Sequence, residues 1–267
     1  MSSQETAEPE VVTERRGSAL VVRINRPAAR NAFNAAVMAG IGSALLQADA
    51  DPEIRAVILT GTGDRAFCAG MDLKAFAAGG TPASDADKEA IATFSAFTSG
   101  SGGCSKPVIC AAQATALAGG FELALACDLV VVAEDAKLGL PEVKRGLFAA
   151  GGGMSLARRI PLAKALELTM IGDPITPAEA LSLGLINAVV PGPWVMDKAL
   201  EVAAKIAENG PLAVAASKRL VRMAAFEPLP EVRRVHAELV GTVFSSDDAK
   251  EGAIAFAERR SPTWKGH

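Results

Sequence analysis

Short apolar strands alternate with helical stretches through the first half of the chain, and this alternation constrains the fold more than any other feature. Runs of β-branched and apolar residues, bounded by turn residues, stand at residues 18–25, 55–60, 107–112 and 129–133. Between them, apolar residues at helical spacing follow Asn34 as far as Ala50, cover residues 85–99, and start again near Gly119. Such a series of alternating strands and helices is typical of an α/β domain.

The last third of the chain is predicted to be largely helical. Helical segments, several of which open near a proline, are predicted at residues 161–171, 177–183, 195–208, 211–223, 230–244 and 247–259. A chain of 267 residues, 50% of them hydrophobic, is long enough for one sizeable core. We therefore expect a flexible tail over residues 1–15, one core over 16–200 and a helical region over 201–267. The small-residue segment from Ala75 to Ser84 is expected to be mobile surface.

Charge and hydropathy argue against several classes of function. The chain has 27 basic and 30 acidic residues, a formal net charge of −3 and no basic block, which disfavours a nucleic-acid partner. Glu122 and Asp128 interrupt the longest apolar stretch, so a buried strand, helix and strand explain it better than a membrane span. The acidic, polar start MSSQETAEPE lacks the pattern of a secretory or transit peptide, so a cytoplasmic protein without a membrane partner is expected.

Cysteines and histidines offer little chemistry, which leaves acid–base work to carboxylates. The four cysteines form no CxxC pair and lie among apolar residues, as reduced core thiols do: Cys68, Cys104, Cys110 and Cys127. No metal site or disulfide is therefore expected. The two histidines are His236, in a polar helical segment, and His267, so a Ser/His/Asp or Cys/His relay lacks a base. The glycine-rich segments at 61–63 (GTG) and 151–153 (GGG) are not followed by the GK[ST] of a phosphate-binding loop.

Two loops share one local design. Residues 68–73 (CAGMDL) and 118–123 (AGGFEL) each follow an apolar run and open a helix. The first N–H groups of a helix have no partner within the helix, and the helix dipole favours negative charge there. Small side chains let a substrate oxygen come within hydrogen-bond distance of such groups. Two facing helix starts would hold an oxyanion, and the alternative is that both loops are ordinary glycine turns that cap helices.

Two glutamates stand close to this pattern in the sequence. Glu122 lies on the otherwise apolar helix FELALACDL, where a carboxylate is costly unless it has a partner or a function. Glu142 follows a proline in LGLPEV, after a strand that can return the chain to the same end of the sheet. Two carboxylates beside an anion site suit proton transfer at carbon. The alternatives are that Glu122 pairs with an arginine and that Glu142 is an acidic residue in the first turn of a helix.

Four segments together link the chain to a known family. They are RINRPAARNAFN (23–34), AFCAGMDLK (66–74), ALAGGFELALACDLVVVAEDAKLGLPEV (116–143) and DAKEGAIAFAERRSPTWKG (248–266). Through them the chain resembles the enoyl-CoA hydratase/isomerase, or crotonase, superfamily from about Ser18 to Lys265. The resemblance implies the crotonase fold, a spiral in which each turn has two strands and a helix. It also implies a C-terminal helical region that closes the coenzyme A pocket and mediates homotrimers, often paired into hexamers.

The resemblance also assigns a reaction and its residues. It places the two oxyanion donors at the backbone N–H groups of Met71 and Gly119, and the two catalytic carboxylates of the hydratase branch at Glu122 and Glu142. The implied substrate is an acyl-coenzyme A, so coenzyme A is part of the substrate and no further cofactor is expected. Our interpretation is a hydratase of 2-enoyl-CoA in which Glu122 is the base and Glu142 the acid. The two carboxyl groups are expected to share a proton and to titrate as a unit.

Further substrate contacts are expected at both ends of the ligand. Arg30 is placed near the phosphates of coenzyme A, and Lys265 is placed to reach the 3′-phosphate, in the same subunit or a neighbouring one. The remaining predicted substrate-binding residues are Ala69, Gly70, Gly120 and Phe148. Phe148, Phe121 and Met71 either narrow the acyl pocket or fill the core. Asp72 and Asp128 are interpreted as turn or helix-end residues.

One departure from the family leaves the substrate open. Common hydratases have a Pro-Gly-containing loop after the second glutamate, where this chain has LFAAGGG at 147–153. Members of the superfamily also isomerise 3-enoyl-CoA to 2-enoyl-CoA and dehydrate carnitinyl-CoA, so the fold does not choose among these reactions. A non-catalytic acyl-CoA binder is the alternative outside enzymes. The presence of both glutamates favours hydration or dehydration.

Overall fold

The computed structural model describes residues 8–77 and 84–267, and strands alternate with helices along them. The strands of these residues are β1 (Val11–Arg16), β2 (Ala19–Ile24), β3 (Ala56–Gly61), β4 (Val108–Ala112), β5 (Ala116–Leu117), β6 (Leu129–Ala133), β7 (Leu138–Gly139) and β8 (Ala188–Val190). The α-helices are α1 (Ala35–Ala50), α2 (Leu73–Ala77), α3 (Asp85–Ser99), α4 (Gly119–Ala126), α5 (Leu162–Met170), α6 (Pro177–Ser182), α7 (Val195–Ala207), α8 (Pro211–Phe226), α9 (Leu229–Phe244) and α10 (Asp247–Glu258). The predicted strands and helices are confirmed, with ends that differ by a few residues.

The large sheet forms the centre of the molecule. Its six strands lie in the order β1-β2-β3-β4-β6-β8. β1 pairs with β2 antiparallel, and every other neighbouring pair in this sheet is parallel. All residues of β3 and β4 are buried, which explains why both read as unbroken apolar runs in the sequence.

A small second sheet gives the core its spiral form. β5 and β7 pair in parallel outside the large sheet. The chain runs from β4 in the large sheet to β5 in the small one and then into α4, and it repeats the crossing from β6 to β7. These are the turns of two strands and a helix that the resemblance implies. A bridge between Cys68 and Ala116 brings the first of the two predicted loops against β5, where the second one starts.

Side chains that cap helices explain where several helices begin. The side chain of Asn34 accepts a hydrogen bond from the N–H of Val37 at the start of α1. Ser84 forms a reciprocal capping box with Asp87 at the start of α3. Each cap satisfies an N–H group that the helix itself leaves without a partner. The sequence pattern and the local chemistry therefore agree at these boundaries.

The N-terminal prediction needs a correction. The expected flexible tail over residues 1–15 is wrong for residues 11–15, because Val11–Arg16 form an edge strand. Gly17 and Ser18 make a two-residue turn to β2, with Gly17 at a φ of 61°. The charged residues of β1 face solvent, so the segment reads as polar although it pairs along its whole length. Of the small-residue segment predicted to be mobile, residues 75–77 belong to α2 and residues 78–83 lie outside the described residues.

The C-terminal helices are attached to the core partly by charge. α8 has no fully buried residue. Its Lys218 and Arg222 lie 2.8 and 2.7 Å from the carboxylate oxygens of Asp128, which follows α4. A cavity of about 860 Å³ is lined by residues of α8 and α9, of the end of α3 and of the loop after it. Neither predicted catalytic glutamate lines this cavity. Across residues 8–77 and 84–267, no helix has both the length and the apolar character needed to cross a membrane.

Candidate active site

The backbone around Met71 is held so that its N–H points away from the chain that supports it. Phe33 and Met71 form a parallel bridge. The N–H of Phe33 donates to the carbonyl of Gly70 at 2.9 Å, and the carbonyl of Phe33 accepts from the N–H of Asp72 at 2.9 Å. In a parallel bridge of this register the middle residue turns its own N–H to the opposite side. Within the described part of the chain, the N–H of Met71 has no hydrogen-bond acceptor.

Gly119 offers a second amide at the start of α4. It is the first residue of the helix, so its N–H has no partner within the helix. The preceding residue, Ala118, holds a left-handed φ of 52°, and its N–H donates to the carbonyl of Gly139 at 2.9 Å. No acceptor for the N–H of Gly119 lies among residues 8–77 and 84–267. The second turn is therefore fixed by the small sheet and leaves a free donor.

The two turns meet each other. A Cβ placed on Gly70 would lie 3.0 Å from the backbone nitrogen of Gly119, and one placed on Gly119 would lie 3.6 Å from the Cα of Gly70. A Cβ on Gly120 would lie 2.0 Å from the carbonyl oxygen of Cys68. Glycine at 120 is thus required by packing, a role that the sequence analysis did not assign to this residue. The structure brings together the two loops that the sequence pairs.

Glu122 is buried and held by backbone amides. Its side chain sits on the first turn of α4 and the residue is 8% exposed. The N–H groups of Gly152 and Gly153 donate to its Oε1 at 2.7 and 3.0 Å. No lysine or arginine of the described residues forms a salt bridge with it, so the alternative in which an arginine neutralises Glu122 is wrong there. Two N–H donors at one oxygen suit an ionised carboxylate.

Glu142 has the opposite surroundings. It begins the 3-10 turn Glu142–Arg145, as the first-turn alternative expects, but its carboxyl group is buried rather than capping. Neither carboxyl oxygen receives a hydrogen bond from the described residues. Burial raises the pKa of Glu142, and the nearby charge of Glu122 raises it further. Glu142 therefore holds a proton more readily than an ordinary glutamate, and its neighbour influences its titration.

The loop at 151–153 contacts Glu122, which the sequence analysis does not predict. The sequence identifies this loop only as a departure from the family's usual pattern that lacks the features of a phosphate loop. A Cβ on Gly151 would lie 3.0 Å from Oε2 of Glu122, so the loop approaches that carboxylate closely. The only sequence signal was the run of three glycines itself, which lets the backbone come this near.

The other predicted ligand residues lie around this centre in different settings. Phe148 and Met71 are 76% and 47% exposed, so both have surface available to a substrate. Phe121 is fully buried in the main core, which makes it a core residue rather than a pocket wall. Arg30 is exposed, and its carbonyl accepts from the N–H of Ala69 at 3.1 Å. Lys265 lies 3.5 Å from Asp247 through its side-chain nitrogen.

The remaining polar groups behave as structural residues. Asp72 accepts hydrogen bonds from the N–H groups of Lys74 and Ala75, as a turn former does. Asp128 accepts from the N–H of Val108 at 2.8 Å, besides its ion pairs with α8. All four cysteines are buried, as predicted. In the part of the chain that the structure describes, no cluster of three His, Cys, Asp or Glu residues could hold a metal ion.

Comparison with known proteins gives this arrangement a context. Residues 14–267 match the family described as enoyl-CoA hydratase/isomerase. The chain is 43% identical over 261 residues to an enoyl-CoA hydratase of Mycobacterium tuberculosis, covering 96% of this chain and 97% of that protein. It is 40% identical over 256 residues to a carnitinyl-CoA dehydratase of Proteus mirabilis, covering 94% of this chain and 96% of that protein. The crystal structure of an enoyl-CoA hydratase from Mycobacterium marinum matches with a TM-score of 0.88 and 45% identity, covering 97% of this chain and all of that one.

Proposed function

The chain belongs to the enoyl-CoA hydratase/isomerase family, and on that premise we propose that it adds water reversibly to the double bond of a 2-enoyl-CoA thioester. Its fold is the crotonase fold of that family. The observation that carries the proposal is the meeting of two turns with free amide N–H groups, on the same spiral turns that hold two buried carboxyl groups of contrasting surroundings.

The amides of Met71 and Gly119 would stabilise the thioester oxygen. When water adds at Cβ, negative charge moves onto that oxygen and an enolate forms. Donors that already point at this position lower the barrier, because they need no reorganisation during the reaction. Loss of one such donor in an enzyme typically costs about a hundred- to a thousand-fold in rate. Coenzyme A is part of the substrate in this proposal, and no further cofactor takes part.

The two glutamates divide the proton transfers. Glu122, held by two amide N–H groups, takes one proton from water as the water oxygen bonds to Cβ. Glu142, whose pKa is raised by burial and by the charge of Glu122, gives its proton to Cα. The proton taken by Glu122 then passes to Glu142 and restores the starting state. Dehydration runs through the same steps in reverse.

Quaternary structure and location are part of the proposal. Large apolar side chains of the C-terminal helices are exposed, with Phe244 at 78% and Phe256 at 87%. Exposed apolar surface of this kind is typical of a protein–protein interface, so we propose a homotrimer or a dimer of trimers. Arg30 and Lys265 would bind the phosphates of coenzyme A. The four buried, unpaired cysteines suit a reducing compartment, which supports a cytoplasmic location.

A spectrophotometric assay tests the reaction. The purified enzyme, without added metal or nicotinamide, is expected to remove the enoyl-thioester absorbance of crotonyl-CoA or a longer homologue. Glu122→Gln and Glu142→Gln should each lower the rate by about a hundred- to ten-thousand-fold and leave the fold intact. Full activity in either variant would contradict the assignment. Binding of enoyl-CoA without turnover over a range of acyl lengths would instead support a non-catalytic acyl-CoA binder.

Two related reactions are separated by the substrate and by labelled water. The carnitinyl-CoA dehydratase relatives, at about 40% identity, favour dehydration of a 3-hydroxyacyl-CoA such as carnitinyl-CoA as the second candidate. An isomerase would move the double bond of a 3-enoyl-CoA without incorporating oxygen from solvent. Incubation in H₂¹⁸O distinguishes the isomerase from the other two reactions, since label in a 3-hydroxyacyl product requires hydration, and the choice of substrate separates those two.

A further inference from the structure

Arg26 occupies the junction between the first sheet strands and the turn that presents Met71. It follows β2, and its side chain is 16% exposed. Its three guanidinium nitrogens face three different acceptors. Nη1 donates to the carbonyl of Ala32 at 2.5 Å, Nη2 lies 3.0 Å from Oδ2 of Asp72, and Nε lies 3.1 Å from Oε1 of Glu10.

The first two of these contacts flank the bridge that aims the Met71 amide. Ala32 immediately precedes Phe33, and Asp72 immediately follows Met71. Phe33 in turn holds the residues on both sides of Met71 through its own N–H and carbonyl. One guanidinium group therefore contacts a residue next to each partner of the bridge.

Asp72 completes the connection toward α2. Its Oδ1 accepts from the N–H groups of Lys74 and Ala75 at 3.1 and 3.2 Å, while its Oδ2 faces Arg26. These hydrogen bonds, that of Ala75 first and that of Arg26 next, lower the pKa of Asp72. The carboxylate stays charged at neutral pH, so both its oxygens hold the chain on the C-terminal side of Met71.

We infer that Arg26 and Asp72 are positioning residues for the proposed reaction: their ion pair fixes the direction of the Met71 N–H toward the thioester oxygen. The inference rests on the proposed function. Neither side chain touches the reacting atoms, and each acts through the backbone of residues 70–72. An arginine is needed because its planar fork reaches several acceptors at once, whereas a lysine is a single point charge.

Kinetics of three variants test the inference. Arg26→Gln and Asp72→Asn should each lower kcat for hydration about ten- to a hundred-fold, less than the loss of an oxyanion donor, and change KM by less than about three-fold. Arg26→Lys should recover part of the lost kcat, because an ammonium can still pair with Asp72. A merely structural role would lower thermal stability without this split between kcat and KM.

Glu10→Gln is the matched control. It removes a contact of the same guanidinium, but that contact does not reach either side of the bridge, so kcat should stay within about two-fold of the wild type. An equal loss of kcat in Glu10→Gln and Arg26→Gln would overturn the inference. The Arg26→Gln/Asp72→Asn double variant gives a second test. Because the two residues act as one pair, its kcat should be no lower than that of the less active single variant. Losses of kcat that multiply in the double variant would also overturn the inference.

Hydrogen–deuterium exchange separates this inference from the proposed function. Arg26→Gln and Asp72→Asn should raise deuterium uptake in the peptide that contains Met71, and Glu10→Gln should not. This readout needs no turnover. An inactive wild-type enzyme with the expected exchange pattern would reject the hydratase proposal and keep the positioning role. Unchanged uptake in that peptide, which also contains the hydrogen-bonded N–H of Asp72, in both variants with an active wild type would reject the positioning role alone.

Discussion

Replacement of Glu142 by glutamine is expected to remove hydration activity and to make the stability of the protein less sensitive to a rise in pH. The residue is 9% exposed, and no described residue donates a hydrogen bond to its carboxyl oxygens. Burial, together with the charge of Glu122, raises its pKa. The ionised form is therefore unfavourable in the folded protein, and the wild type tolerates it because the proposed reaction uses the proton that this group holds.

The sign and size of the effect follow from proton linkage. The ordinary pKa of the side chain is 4.5, and the folded value is higher. Between these two values the folded protein binds more protons than the unfolded chain, so wild-type stability falls as the pH rises through this range and stays lower above it. One unit of pKa shift is worth about 1.4 kcal/mol. A stability difference of about 1 kcal/mol corresponds to about 2–4 °C in Tm for a protein of this size, so an effect of that order is measurable.

The assay is thermal unfolding of both proteins at pH 4 and at pH 8. A buried amide that lacks partners costs stability at every pH, so the measured quantity is the change in the Tm difference between the two pH values. Relative to the wild type, Glu142→Gln should gain Tm on going from pH 4 to pH 8, because the substitution removes the group whose ionisation lowers wild-type stability as the pH rises. A Tm difference that does not change between the two pH values would refute the reasoning.

Glu122→Gln is the matched control, and it should destabilise the protein because it changes a hydrogen-bonded side chain. The amides of Gly152 and Gly153 donate to its charged oxygen. A hydrogen bond to a charged group contributes about 1.5–3 kcal/mol, and a neutral one about 0.5–1.5 kcal/mol. Loss of the charge should thus destabilise the protein by about 1 kcal/mol or more. Stabilisation by both substitutions would show that burial alone, and not hydrogen bonding, sets the difference between the two carboxyl groups.

Three further substitutions or probes test the packing around the site. Gly120→Ala places a Cβ 2.0 Å from the carbonyl oxygen of Cys68 and should lower stability by about 1–3 kcal/mol or more in chemical unfolding; an unchanged midpoint would contradict that contact. Asp128→Asn weakens the ion pair with Arg222 and should lower the free energy of unfolding by about 1–3 kcal/mol. It should also speed limited proteolysis of the C-terminal helices, and unaltered cleavage would show that charge does not hold them. Burial raises the pKa of Cys68 and Cys104 to about 12, so iodoacetamide at pH 8 should label neither thiol before unfolding, and early labelling by mass spectrometry would contradict this.

The sequence predicts best those elements whose side chains are buried on all sides. β3 and β4 are buried along their full length, so their composition alone marks them as strands. The sequence analysis does not predict β1, because it is an edge strand whose charged residues face solvent. β5 and β7 are two residues long, and their pairing with each other defines them as strands. Such elements depend on tertiary contacts that local composition does not encode.

Some features of the candidate site can likewise be predicted from the sequence, and others depend on the fold. Glu122 stands out in the sequence because it is a charge on an apolar helix, and Glu142 because it follows a strand that can return the chain to the same end of the sheet. The family resemblance then assigns a role to both. The partners of Glu122 are the backbone N–H groups of Gly152 and Gly153. Almost every residue has a backbone N–H, so the residue types in a sequence do not identify such donors. The Arg26–Asp72 pair joins residues 46 positions apart, so its geometry required the fold.

Helix α4 shows how the C-terminal third and the candidate site depend on each other. At its N-terminal end the N–H of Gly119 has no acceptor among the described residues and would bind a developing anion in the proposed reaction. At its other end the carbonyl of Leu125 accepts from Arg159 at 3.0 Å, and that of Ala126 accepts from Arg222 at 2.6 Å. Cations at the C-terminal end interact favourably with the helix dipole and satisfy carbonyls that the helix leaves without partners. Because Arg222 belongs to α8, docking of the C-terminal helices also completes the helix that would hold the thioester oxygen.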